Sequence, residues 1–260
     1  MHRIDPCKIL VLLIAVLLIV IPLYGLAAQE NGSGLTPKEI VDRVDRMLRG
    51  DSSIGAVKMS IVTNRWKRTM TLRIWSEGTE KVLVKVLKPK KEEGTATLKV
   101  ESDIWNYLPK IDRTIRVPTS MMMASWMGSH FTNDDLVKES RLIRDYDIRI
   151  SYEGKRDGVE VYEFTLTPYP DAPVVWGKIL YEVRKQDLMP TWAKYYGEDG
   201  RLKRIQTFSS YQKMGGRLIP TRMRMEPQDK PGESTEIVQT DLKFDIPIPE
   251  RTFSLGFLRR

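Results

Sequence analysis

About a dozen stretches of this chain alternate apolar with other residues at a period of two, and that rhythm limits the folds open to it. They cover residues 57–62, 70–75, 81–87, 96–100, 104–108 and 114–117, then 146–152, 159–166, 174–183, 190–196, 202–208, 217–225 and 236–242. Such alternation places every second side chain on one face of a strand. Turn-forming pairs separate many of them: Glu77-Gly78, Glu153-Gly154, Asp157-Gly158, Asp199-Gly200 and Gly215-Gly216. No helical pattern between them is long enough to carry the chain from one parallel strand to the next. The expectation is one antiparallel meander, and a sheet this long must curl to bury a face.

One helix precedes the strands. Thr36 can cap it, Pro37 suits its first turn and Glu39 can complete a capping box. Ile40, Val41, Val44, Met47 and Leu48 then form a single apolar stripe, and Gly50 ends the pattern. Residues 29–35 read as a flexible leader and 36–260 as one domain. Further upstream, Arg3 and Lys8 precede an apolar run over residues 9–21, Pro22 and the small-residue tail 24–28. That order describes a secretory signal over residues 1–28, cut after Ala27 or Ala28. The competing reading is an uncleaved inner-membrane anchor, because residues 9–28 approach the ~20 a span needs.

Composition then removes several kinds of chemistry. The single Cys is Cys7, inside the leader, so the exported chain is expected to hold no disulfide. The two His are His2 and His130, too few for a His-rich metal site, and no cofactor is expected. The net charge of +8 becomes +7 when Arg3, Lys8 and Asp5 leave with the signal. Basic residues in 64–73 and 201–204 alternate with apolar ones, which reads as a solvated strand face rather than a nucleic-acid interface. A basic face on an exported protein is better matched to anionic lipid head groups, through transient contact with a membrane surface.

The rhythm breaks once, over residues 118–145. Thr132 or Asn133 can cap a short helix over 134–139, with Asp134 and Asp135 in its first turn. Just before it lie Met121, Met122, Met123, Trp126 and Met127, an apolar cluster on a connection expected at the surface. Long connections in compact β domains are often lids or binding loops. Methionine adapts to flexible apolar partners. These five residues are read either as a lid over an apolar ligand or as a plug for the open side of the sheet. Catalysis is not expected: no Gly-x-Ser-x-Gly surrounds a Ser near His130, and no HExxH, P-loop or GxGxxG occurs.

The run Asp103-Ile104-Trp105-Asn106-Tyr107-Leu108-Pro109-Lys110, then residues 118–126 and Phe131-Thr132-Asn133-Asp134-Asp135-Leu136, resembles the signature of LolA-like outer-membrane lipoprotein-sorting proteins. The resemblance runs from the helix at 36–50 to the closing segment 248–253. It implies a mainly β fold with α elements: a half-barrel of strongly curved antiparallel sheet, with the first helix and a short helical lid on its concave side. It also implies a periplasmic location and an apolar cavity for acyl chains of lipoproteins or lipids, with an inner-membrane transporter as a further partner. Trp75, Trp105 and Leu108 are candidate wall residues beside the Met–Trp lid. A non-carrier accessory protein of an envelope transporter and an envelope hydrolase are the rival readings. N-terminal sequencing of the exported protein should begin at Ala28 or Gln29; a chain that retains Met1 would instead establish the anchor.

Overall fold

The computed structural model describes residues 34–138 and 142–259. The signal segment, the cleavage site, most of the leader and Glu139 lie outside the described residues. Helix α1 (Pro37–Arg49) begins as its sequence requires. Glu39 N donates to Thr36 Oγ1 at 3.3 Å and Thr36 N donates to the Glu39 carboxylate at 2.7 Å, a reciprocal capping box. Gly50 closes the helix with φ 69°, where a side chain would be strained.

The strands then follow: β1 (Ser52–Val62), β2 (Lys67–Glu77), β3 (Lys81–Lys88), β4 (Ala96–Val100), β5 (Asp103–Leu108) and β6 (Arg113–Arg116). Beyond the interruption come β7 (Tyr146–Arg156), β8 (Val159–Pro168), β9 (Lys178–Arg184), β10 (Pro190–Tyr196), β11 (Leu202–Met214), β12 (Arg217–Pro227) and β13 (Ser234–Phe244). Each predicted strand is present. The alternation over 174–183 overreached, since β9 starts only at Lys178. Pro170 and Pro173 bend the preceding segment, and its Val174 and Trp176 pack on the core without strand pairing.

All 13 strands form one antiparallel sheet ordered β6-β5-β4-β3-β2-β1-β13-β12-β11-β10-β9-β8-β7. It comprises two meanders joined where β1 pairs with β13, from Ser53↔Phe244 to Val62↔Ser234. Its edge strands, β6 and β7, are consecutive in sequence, so the interrupted segment carries the chain from one edge to the other. It includes two short helices, α2 (Asn133–Lys138) and α3 (Leu142–Asp145). The sheet is curved and does not close into a barrel.

Both faces carry apolar clusters. On β3, Val84 and Val86 join a cluster with Val57, Met59, Met70, Trp126 and Phe131, while the preceding Leu83 joins another with Leu98, Phe253 and Leu258. Alternation makes these opposite faces. The first, inner face also packs α1: Ile40, Val41 and Val44 meet Tyr146, Phe164, Leu166, Ile179 and Val183. The outer face of β3–β5 is covered by the C-terminal segment, including α4 (Leu255–Leu258), held by Lys85 Nζ donating to the Phe257 carbonyl at 2.7 Å. Phe164 is fully buried. Phe164→Ala should lower stability by about 3–5 kcal/mol, read as a lower urea midpoint, whereas exposed Lys90→Ala should stay within about 0.5 kcal/mol.

Candidate functional site

The apolar stripe of α1 exceeds what the strands beneath it cover, and a cavity of about 320 Å³ lies along it. Val41 and Leu48 of α1 line it, with Val82 of β3, Ile179 and Tyr181 of β9, Phe208 of β11 and Met223 of β12. Leu136 of α2, with Leu142 and Ile143 of α3, completes the lining from the connection between the sheet edges. Lys99 of β4 lines it too, although β4 and β9 stand eight places apart in the sheet. Flat, those strands would be ~38 Å apart at ~4.8 Å per strand. Curvature therefore creates the cavity. Its size falls at the lower end of ligand pockets, which run from about 300 to 1,000 Å³.

The lining also carries polar groups: Asp45, Arg49, Ser76, Thr79, Lys99 and Gln206. Arg49 Nη2 lies 2.5 Å from Asp45 Oδ2. Burial raises the Asp45 pKa, and the Arg49 guanidinium works against that rise. Lys99 is only 1% exposed, and its Nζ donates to the Thr79 carbonyl oxygen.

A second, smaller cavity of about 40 Å³ adjoins the first, sharing Leu142, Ile179, Tyr195 and Gln206 with it. Here α2 is pinned to the sheet. Arg204 of β11 makes a bidentate pair with Asp135, at 2.7 and 2.6 Å, with the two side chains 7% and 12% exposed. The guanidinium sits 4.4 Å from the Trp176 ring centroid and 4.3 Å from that of Tyr195. Asp135 also accepts from Thr132 N at 2.7 Å, so it caps α2 and anchors it at once. Arg204 corrects the reading of 201–204 as a solvated face: its side chain points into the molecule and holds the connection down.

The residues singled out in the sequence fall in three places. Trp126 is buried against the β1–β3 cluster and donates from Nε1 to Thr97 Oγ1 at 3.1 Å; Met127 packs beside it. Met122 is half-buried, while Met121 and Met123 are 52% and 48% exposed. Trp75 and Trp105 lie on the outer face, against the C-terminal segment, with Trp75 edge-on to Phe257 at 6.4 Å. Leu108 is exposed. None of these eight lines either cavity. Parity places Trp75 on the outer face: on β2 the inner positions are Met70, Leu72 and Ile74, which leaves Trp75 outward. His130 meets Thr235 Oγ1 through Nδ1 at 2.8 Å and Glu233 through Nε2 at 3.1 Å, tying the connection to β13. The Glu233 pKa is lowered, first by the Asn64 backbone N–H and then by His130. Sequence reading missed Lys99, Arg204, Leu142 and Ile143; buried polar residues on a strand resemble solvated ones until both faces are known to be covered.

A family model described as "-like: Uncharacterized protein" matches residues 78–260, most of the chain. The chain belongs to that family. No curated protein matches it. Among solved structures, a DUF1329 family protein from Desulfovibrio piger is similar at a TM-score of 0.78 and 25% identity, over 86% of this chain and 100% of that one. An outer membrane lipoprotein-sorting protein domain from Vibrio parahaemolyticus reaches 0.75 at 24% identity, over 86% and 98% of the two chains. A LolA superfamily protein from Nitrosomonas europaea reaches 0.73 at 22%, over 86% and 100%. The family's structural neighbours are therefore DUF1329 and LolA superfamily proteins, and its fold is LolA-like. Asp135→Ala should cost about 3–5 kcal/mol by breaking the buried bidentate pair with Arg204, while the paired change D135L/R204M should recover much of that loss in urea unfolding.

Proposed function

We propose that this chain is a carrier of an acylated ligand, a lipoprotein or a lipid, working in the periplasm after export by the segment 1–28. Residues 36–260 would form the binding domain. The observation that carries this reading is the apolar cavity of about 320 Å³ between α1, the inner sheet face and α2–α3. The similarity to LolA superfamily folds supports it. Among the described residues no helix is long and apolar enough to cross a membrane.

Acyl chains would lie along Val41, Leu48, Val82, Leu142 and Met223. Each buried CH₂ contributes about 0.8 kcal/mol before the cost of displacing the helices. The lid is then α2–α3, which faces the cavity. Trp126 and Met127 act as its fixed anchor rather than as ligand contacts, with Asp135–Arg204 as its clasp. Exposed Met121 and Met123 would instead meet a membrane surface or an inner-membrane transporter during transfer.

Native mass spectrometry of protein purified from cells should find co-purifying acyl lipid, and a fluorescent fatty acid should bind. Val82→Trp, which fills the cavity from β3, should abolish that uptake while the fold is retained by circular dichroism. If native protein neither carries lipid nor takes up the probe, the carrier reading fails and a scaffold with a permanently filled interior takes its place.

A further inference from the structure

We infer that three neighbouring turns of the sheet form a face that docks on a bilayer of anionic lipid; this goes beyond the carrier reading and does not depend on the cavity. The antiparallel order β6-β5-β4-β3-β2-β1 brings the β1–β2, β3–β4 and β5–β6 turns to one end of the sheet. Contacts show that they adjoin. Arg68, near the start of β2, pairs with Glu92 of the β3–β4 turn at 3.4 Å. A Cβ on Gly94 of that turn would lie 3.6 Å from Pro109 of the next.

The charge of this end is one-sided. With their flanking strand ends, the first turn carries Arg65 and Lys67, the second Lys88, Lys90 and Lys91, and the third Lys110 and Arg113, all exposed. The carboxylates of the same turns are Glu92, Glu93 and Asp112. Glu92 is taken by Arg68, and Asp112 accepts from the Tyr107 hydroxyl at 3.0 Å. None of the seven cations has a carboxylate partner among the described residues. The next turn along, 228–233, holds Asp229 and Glu233 and meets Asn64 N through Glu233 at 3.1 Å, so the basic surface stops there.

Two apolar tips stand in this basic field: Trp66 is 42% exposed and Ile111 59%. Basic residues are drawn to an anionic leaflet, and a tryptophan ring favours the head-group layer. An acidic protein surface would answer the cations but leave both tips in water. A neutral bilayer would take the tips but not the cations. Only an anionic bilayer answers both. Trp66 also borders the crossing segment, since a Cβ on Gly128 would lie 3.8 Å from its ring and Arg68 donates to the Met127 carbonyl. A docked face would therefore touch the same segment that lines the cavity further along.

The test is co-sedimentation of the protein purified from cells with vesicles of about 25% phosphatidylglycerol in phosphatidylcholine, and with phosphatidylcholine alone. Binding should favour the anionic vesicles and weaken as salt is raised. The variant K90E/K91E/K110E should lose about tenfold in affinity, while R43E/K213E/K243E, which reverses three exposed cations elsewhere, should stay within about twofold. Whether or not residues 1–28 are retained, they are common to every variant, so the comparison isolates the face. Brominated phosphatidylglycerol should quench a share of the tryptophan emission that is missing in Trp66→Phe. Should the triple variant fail to fold by circular dichroism, that quenching in the native chain decides. Equal binding to both kinds of vesicle, equal loss in the two triple variants, or emission unmoved by the brominated lipid overturns the inference. Binding to neither vesicle overturns it as well and makes an acidic protein the occupant. Fatty-acid uptake is measured without vesicles, so the carrier reading stands or falls separately.

Discussion

The pairing of β1 with β13 is the constraint on which the rest depends. Each half of the chain is a simple meander, and either alone would leave two open edges. Joining the first strand to the last fuses them into one sheet and moves both free edges to strands that are neighbours in sequence, β6 and β7. The chain between them must then pass from edge to edge. Because the sheet curls, that passage runs beside the cavity, and α2 and α3 contribute Leu136, Leu142 and Ile143 to its lining. The one break in the strand rhythm and the location of the cavity are thus consequences of a single pairing.

Polar contacts fix the crossing segment. Asp135–Arg204 ties it to β11, and His130 ties it to β13 through Thr235 and Glu233. Apolar contact alone is non-directional and would allow the segment to slide over the inner face. A bidentate guanidinium–carboxylate pair fixes its orientation, and the Trp176 and Tyr195 rings confine the guanidinium. Trp126 supplies the apolar counterpart, seated among core residues of β1–β3 with its indole N–H satisfied. The part of the segment that borders the cavity is α2–α3, and the Asp135–Arg204 pair holds α2 there.

Much of this was legible in the residues. The capping box at Thr36 and Glu39, the stripe on α1 and every strand followed from local patterns that act within a few residues. The unusual character of residues 118–145 was legible too. Their roles were not. Methionine richness drew attention to Met121 and Met123, which face solvent, and away from the quieter Leu142 and Ile143. Two tryptophans on β2 and β5 appeared suited to a cavity wall, but the C-terminal segment covers that face.

By itself, the sequence determined which side chains share a face, where in the chain each strand falls, and that the sheet must be antiparallel. Only the tertiary structure decided which face is the inside. Alternation is symmetric between faces, and on β4 both are buried, one by the C-terminal segment and the other by the inner core and the cavity. Lys99 and Arg204 therefore look in the sequence like charges bound for water. The curl of the sheet and the cover laid over its back turn them inward, where one ties β4 to the β2–β3 turn and the other holds α2 in place.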